Sequence, residues 1–220
     1  MRTAIFDLDG TLADTSADLI AAANACFTGR GHAAPLHAER DALTAFRGGR
    51  AMLELGVSRL ALSDVVVDEE YQTLLDHYGN NIDTHTRLYP GVEATLDRLA
   101  QEGWALGICT NKPEGLAETL LARLAIRDRF AAMLGADTLE VKKPDPEHLF
   151  ETVRRAGGDA KRTVLMGDTT TDRDTARNAN VPVVLVGFGP MGQGIAELQP
   201  DAILDHYDDL PDLLDRLVPR

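Results

Sequence analysis

The stretch "AIFDLDGTLADTS", Ala4–Ser16, decides how the rest of the chain is read. Its first three residues are apolar and close a run, Thr3–Phe6, that has the character of a buried strand. The run ends in Asp7 and Asp9, one residue apart, followed by Gly10, Thr11 and a third aspartate, Asp14. Two carboxylates held that close repel each other unless a cation or a shared proton relieves them. A strand that delivers such a pair predicts a sheet edge built to handle a cation.

Outward from this strand, short and almost continuously apolar runs recur at Ala105–Cys109, Met133–Gly135, Thr163–Met166 and Val183–Val186, with a weaker one at Ala202–Leu204. Runs of this kind suit strands covered on both faces. Amphipathic segments separate them. One is opened by Pro90 and stopped by Gly103, one carries Leu116, Leu120, Leu121 and Leu124, and one carries Leu149, Phe150 and Val153 before Gly157-Gly158. Residues 172–179 and 208–217 read as two more. Alternation of strand and helix predicts an α/β fold, a doubly wound and mainly parallel sheet with a Rossmann-like core. Residues 16–85 break the rhythm with helical periodicity and no convincing strand (Leu19, Ile20, Ala23, Phe27, then Tyr71, Leu74, Leu75, Tyr78). They are expected to form an inserted α-helical cap, leaving 1–15 and 86–220 as the catalytic core. Gly29–His32 and the "FRGGR" of Phe46–Arg50 are expected to be loops of the cap.

Composition narrows the partners. With 22 basic and 35 acidic residues the chain carries a net charge of −13, which repels phosphate backbones and argues against nucleic acid as a ligand. No apolar run approaches the ~20 residues of a membrane span, and no leader precedes the first strand, so a cytoplasmic protein without membrane association is expected. Cys26 and Cys109 stand among apolar neighbours and are expected to be buried free thiols of a reducing compartment. The six histidines show no metal-ligand spacing, and His148 and His206 read as surface or boundary residues. A monomer or a homodimer is expected.

In an open α/β sheet, ligands bind beyond the carboxyl ends of the strands. Those ends carry Asp7 and Asp9, then Thr110-Asn111-Lys112, then "LEVKKPDP" with Lys142 and Lys143, then "MGDTTTD" with Asp168 and Asp172. Singly, each has a plain structural use as an N-cap, a turn or a surface loop. Together and in this order they resemble the four motifs of the haloacid dehalogenase-like superfamily: Asp7-x-Asp9-Gly10-Thr11, the hydroxyl of Thr110, Lys143 before Pro144, and Gly167-Asp168 with Asp172.

The resemblance implies a magnesium-dependent phosphoryl-transfer site. Asp7 and Asp168, with the backbone carbonyl of Asp9, are expected to hold Mg2+, a hard cation that prefers oxygen ligands. Asp7 is the expected nucleophile and Asp9 the acid and base. Carboxylates and a phosphate dianion exceed the charge of one divalent ion, so Lys143 is needed to hold the transferring oxygens, with Thr110 and Asn111 completing the cradle. Asp172 is expected to orient Lys143 or a metal-bound water rather than to ligate directly.

Within the superfamily, the cap lacks the lysine that a Schiff-base hydrolase or a sugar phosphomutase places there, since all four lysines lie outside it. The "DLDGTLADTSADL", "MGDTTTDRDTARNANVPVVLVGFG" and "PDAILDHYDDL" segments look like the phosphoglycolate phosphatase family. That resemblance implies a small phosphorylated metabolite, 2-phosphoglycolate, as substrate. A carboxylated substrate needs a second cation, for which the Arg47-Gly48-Gly49-Arg50 segment is the candidate, because arginine grips carboxylates bidentately. The alternatives within the fold are a sugar-phosphate phosphatase or phosphomutase and an inorganic pyrophosphatase; outside catalysis, the alternative is a binding module.

Overall fold

The computed structural model describes residues 1–63 and 65–219. It divides into two units, one formed by Met1–Ala13 with Leu88–Arg220 and the other by Asp14–Arg87. Two short strands, β2 (Ala13–Asp14) and β3 (Arg87–Leu88), carry the chain out of the first unit and back and pair with each other.

The first unit is built on six strands: β1 (Thr3–Phe6), β4 (Ala105–Cys109), β5 (Ala132–Leu134), β6 (Thr163–Gly167), β7 (Val183–Val186) and β8 (Ala202–Leu204). Their spatial order is β5-β4-β1-β6-β7-β8, and every adjacent pair is parallel. The sheet is therefore doubly wound, with β1 between β4 and β6, and Thr3 opposite both Ala105 and Thr163. All residues of β1, β4, β5, β6 and β7 are buried, because helices cover both faces of the sheet and leave no side for polar alternation. On one face, Ile5, Cys109 and Leu165 pack with Leu149 and Val153 of α7 (Pro146–Arg155) and Ala176 of α8 (Thr170–Ala179). On the other, Phe6 meets Phe130 edge to face, with ring centroids 6.1 Å apart. The helices α5 (Val92–Gln101), α6 (Glu114–Arg123) and α9 (Leu210–Leu217) complete this unit.

Several boundaries differ from the sequence reading for local reasons. The helix expected at Pro90 begins at Val92, because Gly91 at φ 85° turns the chain before the first helical residue. The third core strand ends at Leu134, one residue early. Gly135 instead lies against the loop after β4, where a Cβ would come 2.4 Å from the Glu114 nitrogen. α8 starts at Thr170, two residues early, since the Thr169 and Asp172 side chains form a capping box.

The second unit is helical: α1 (Ser16–Gly29), α2 (Ala42–Ala45), α3 (Gly49–Leu60) and α4 (Val65–Asn80). α1 and α3 approach closely at Gly56, whose missing Cβ would lie 2.4 Å from the Phe27 ring. Asp18 fastens the returning chain by accepting from the backbone nitrogens of His85 (3.0 Å) and Thr86 (2.9 Å) and from the Thr86 hydroxyl (2.8 Å). The Phe46–Arg50 stretch, expected to be a loop, is one only as far as Gly48. Gly48 takes φ 97°, a glycine conformation, and Gly49 and Arg50 then open α3.

Candidate active site

The site is assembled where four parallel strands end. At the end of β1 the Asp7 nitrogen donates to the Met166 carbonyl at 2.9 Å, so the ladder to β6 continues one residue past the strand. The chain then closes on itself. The nitrogens of Leu12 and Ala13 donate to the Leu8 carbonyl at 3.0 and 3.2 Å, and Gly10, at φ 79°, donates to the Ala13 carbonyl at 2.9 Å. Gly10 thus permits a turn that other residues resist, and the buried Tyr207 hydroxyl holds the far side by donating to the Thr11 carbonyl at 2.7 Å. The loop fixes Asp7 pointing along the strand, its Oδ1 accepting from the Leu8 nitrogen at 2.7 Å.

Lys143 is the hub. Its ammonium lies 3.0 Å from Asp7 Oδ2 and 2.7 Å from Asp172 Oδ1, and it is buried with both. Asn111 steadies it by donating through Nδ2 to the Lys143 carbonyl at 2.9 Å. The second Asp172 oxygen accepts from the nitrogens of Asp168 (3.2 Å) and Thr169 (3.0 Å) and from the Thr169 hydroxyl (2.6 Å). Both oxygens of Asp172 are thereby committed to the protein. Gly167 makes room for it, since a Cβ there would fall 2.3 Å from the Asp172 Cβ. Asp168 accepts from the Thr11 hydroxyl at 3.2 Å, and the buried Thr110 hydroxyl hydrogen-bonds toward Asp7.

The electrostatics follow from burial. Loss of water pushes the Asp7 carboxyl up to about 6, with Lys143 pulling the other way and Asp172 adding to the rise. Asp168 is raised well above the ordinary carboxylate range by burial and by its neighbours Asp172 and Asp7. Burial opposes charge on Lys143, but Asp172 and Asp7 outweigh it and hold the ammonium above its ordinary value. Carboxylate oxygens of Asp7, Asp168 and Asp172 can be chosen that all lie within 4.8 Å of one another. The buried carboxylates of Asp7 and Asp168, both raised mainly by loss of water, fit a hard divalent ion, whose charge would remove the cost of ionising them. Asp172 carries more protein contacts than Asp7 or Asp168, three of them on one oxygen, so Asp7 and Asp168 are the better candidates to ligate.

One member of the constellation has no role in the sequence reading. Lys112, just after Thr110-Asn111, is buried, and its Nζ lies 2.9 and 3.0 Å from the two oxygens of Asp9. The signal was present, because Lys112-Pro113 repeats the Lys143-Pro144 dipeptide. Arg47, Gly48 and Arg50 belong to the second unit. Arg47 and Gly48 are exposed there. Arg50 is bound to Asp68 at 2.6 Å and lies over the Tyr71 ring, 4.7 Å from its centroid. His148, expected at the surface, is fully buried with its Nε2 3.0 Å from the Gly135 carbonyl and its Nδ1 3.4 Å from Cys109 Sγ. Its helix turns His148 and Thr152 inward beside Leu149 and Val153, and burial lowers the imidazole pKa. Cys26 and Cys109 are free and buried.

With this geometry in hand, comparison defines the class. The family model described as haloacid dehalogenase-like hydrolase matches residues 4–186, and the chain belongs to that family. Among its curated relatives, a phosphoglycolate phosphatase of Mesorhizobium japonicum is 41% identical over 222 residues, covering 97% of this chain and 95% of that protein. The phosphoglycolate phosphatase of Agrobacterium fabrum is 38% identical over 220 residues, covering 99% and 94%. A crystal structure described as a predicted phosphoglycolate phosphatase from Haemophilus somnus 129PT superposes with a TM-score of 0.82 at 25% identity, covering 97% of each chain.

Proposed function

We propose that this hydrolase is a magnesium-dependent phosphatase of small phosphate monoesters, with 2-phosphoglycolate as its substrate and glycolate and phosphate as products. The observation that carries the reading is Lys143 bridging Asp7 at 3.0 Å and Asp172 at 2.7 Å beneath a loop that also presents Asp9. A nucleophilic carboxylate, a fixed cation for phosphate oxygens and a second carboxylate on the leaving-group side then share one strand edge.

In this reading an Asp7 oxygen attacks phosphorus and forms an aspartyl phosphate as the ester bond breaks. Asp9 gives its proton to the departing alkoxide, and afterwards takes one from the water that cleaves the acyl phosphate. Lys143 and the Thr110 hydroxyl hold the phosphoryl oxygens, and Asp172 keeps Lys143 in place without touching substrate. Asp7 and Asp168, with the Asp9 carbonyl, would hold Mg2+, which when bound neutralises charge on the phosphate oxygens. Accelerations for phosphate monoester hydrolysis reach ~10²¹-fold, roughly 28 kcal/mol, beyond what a single group supplies. The names of the relatives support the substrate. Within the Arg47–Arg50 segment, Arg50 is taken up by Asp68 while Arg47 is exposed and has no ion pair among the described residues, so Arg47 is the cap's candidate for the substrate carboxylate.

The test is phosphate release with and without Mg2+ across 2-phosphoglycolate, sugar phosphates, nucleoside monophosphates and pyrophosphate. The expected result is metal-dependent release fastest from 2-phosphoglycolate. Asp7→Asn should lose about four orders of magnitude or more in kcat with the fold retained. Near-normal turnover in that variant would remove Asp7 as nucleophile, and a faster sugar phosphate or pyrophosphate would remove the substrate.

A further inference from the structure

We propose that Lys112 is the residue that selects for a carboxylate on the leaving group, at the carbon that carries the ester oxygen. The proposal rests on the phosphatase reading above and deepens it by assigning the chemistry of the substrate's other end.

Of the four lysines, Lys112 and Lys143 are buried, while Lys142 and Lys161 are exposed. The two buried ones divide the site between them. Lys143 faces Asp7 and Asp172, whereas Lys112 spans both oxygens of Asp9 at 2.9 and 3.0 Å. Side-chain exposure rises from 0% at Asp172 to 12% at Asp7 and 18% at Asp9, so the site opens on the side of Asp9, with the Lys112 side chain (3%) lying directly behind it. A leaving group departing opposite Asp7 lies on that open side and must meet Asp9 to be protonated.

The reach then follows from bond lengths. An ester oxygen at hydrogen-bond distance from Asp9 is at most about 6 Å from Lys112 Nζ. In an O-phosphorylated 2-hydroxy acid the carboxylate is two bonds beyond that oxygen, which closes the remaining gap to hydrogen-bonding distance. A carboxylate farther along a chain, or a neutral hydroxymethyl group, does not place a negative charge there. The ammonium is held by the burial of its side chain and by both oxygens of Asp9, on a backbone that is itself fixed. The Lys112 carbonyl accepts from the Ala136 nitrogen at 2.9 Å, the Lys112 nitrogen donates to Thr110 Oγ1 at 3.3 Å, and a Cβ on Gly135 would stand 2.8 Å from the Lys112 carbonyl. A protein with a net charge of −13 also has reason to seat a cation where a substrate brings a third negative charge.

The experiment compares kcat/KM for 2-phosphoglycolate and for 2-hydroxyethyl phosphate, which differ in a carboxylate against a hydroxymethyl group. It is run on the wild type, Lys112→Met, Lys112→Arg and Arg47→Ala. The wild type is expected to prefer the acid, and Lys112→Met to lower that preference about 10- to 100-fold, the range of a charge-assisted hydrogen bond. Lys112→Arg should keep most of the preference. A ratio of two substrates on one preparation is independent of the fraction folded. The same difference is read without turnover as the two Kd values in Asp7→Asn and Asp7→Asn/Lys112→Met, so a variant without measurable activity still decides the matter. A lysine that served only to neutralise Asp9 would depress both esters equally. Equal depression, or a preference that falls in Arg47→Ala and survives Lys112→Met, overturns this proposal and leaves the phosphatase reading standing. A wild type indifferent to the carboxylate overturns the phosphoglycolate assignment and this proposal with it.

Discussion

Chelation is the perturbation that interrogates the acidic pocket most directly, because it withholds any divalent ion that the buried Asp7 and Asp168 would hold. Asp7 rises from the ordinary 3.8 to about 6 on folding, mainly through burial. The native protein therefore binds more protons than the unfolded chain between those values, and stability falls as pH rises through that window. At about 1.4 kcal/mol per pH unit the loss attributable to Asp7 is about 3 kcal/mol, complete above pH 6. Asp168 is raised in the same direction and coupled to Asp7, so the pair loses at least that much. For a chain of this size, about 3 kcal/mol corresponds to roughly 6–12 °C in Tm. The assay is thermal or urea unfolding of chelated wild type and chelated Asp7→Asn at pH 4, 5, 6, 7 and 8, taking the difference so that remote titrations cancel. Wild type should lose stability relative to Asp7→Asn as pH rises, and saturating Mg2+ should erase the difference. Mg2+ should also stabilise wild type more at pH 8 than at pH 5, since the ion competes with protons for the carboxylates. Parallel pH profiles for the two chelated proteins, or greater stabilisation by Mg2+ at pH 5, would refute the claim that burial loads these carboxylates.

Three further outcomes are expected. Gly135→Ala drives a Cβ to 2.4 Å from the Glu114 nitrogen and 2.8 Å from the Lys112 carbonyl, both backbone atoms; it should cost about 1–3 kcal/mol in urea unfolding and lower kcat/KM by displacing the β4 loop. Asp172→Ala leaves buried Lys143 with one carboxylate fewer and strips the acceptor from Asp168, Thr169 and its hydroxyl; a loss of about 3–5 kcal/mol is expected, and a variant as stable as wild type would contradict the bridging role. In the helical unit, Arg59 grips Asp41 through two nitrogens at 2.6 and 2.7 Å and holds its carboxyl down to about 2. That stabilisation is present above the unfolded value near 4 and is lost as pH falls toward 2, so Arg59→Ala should lower Tm at pH 7 and have progressively less effect as the pH is taken below 4.

The strands and the motif-bearing ends were legible because buried parallel strands leave short apolar runs, each followed by a polar, motif-bearing turn. Thr3–Phe6, Ala105–Cys109 and Val183–Val186 have the same limits in the sequence reading and in the structure. The change of period in the sequence suggests an insertion over 16–85, and the second unit of the structure spans Asp14–Arg87. What stayed hidden depends on contacts between segments. Lys112 sits in a Thr-Asn-Lys-Pro turn that reads as surface, and its burial goes with contacts to distant segments, Gly135 against the turn's backbone and Asp9 against the ammonium. His148 has an ordinary helix position, and its burial follows from the direction in which α7 presents the stripe of His148, Leu149, Thr152 and Val153. Arg50 could not be distinguished from a loop arginine until Gly48 was seen to end the turn and start a helix, which gives Arg50 its partners Asp68 and Tyr71.

The placement of β1 governs how the chain must come together during synthesis. β1, the first of the six strands in chain order, lies in the middle of the sheet, and its neighbours begin at Ala105 and Thr163, so it has no strand partner until nearly a hundred further residues have been made. The helical segment Asp14–Arg87 is contiguous and uses near neighbours, so the guest matures before its host. Deleting Thr3–Phe6 would remove the keystone strand, and the two halves of the sheet would have nothing left to join them.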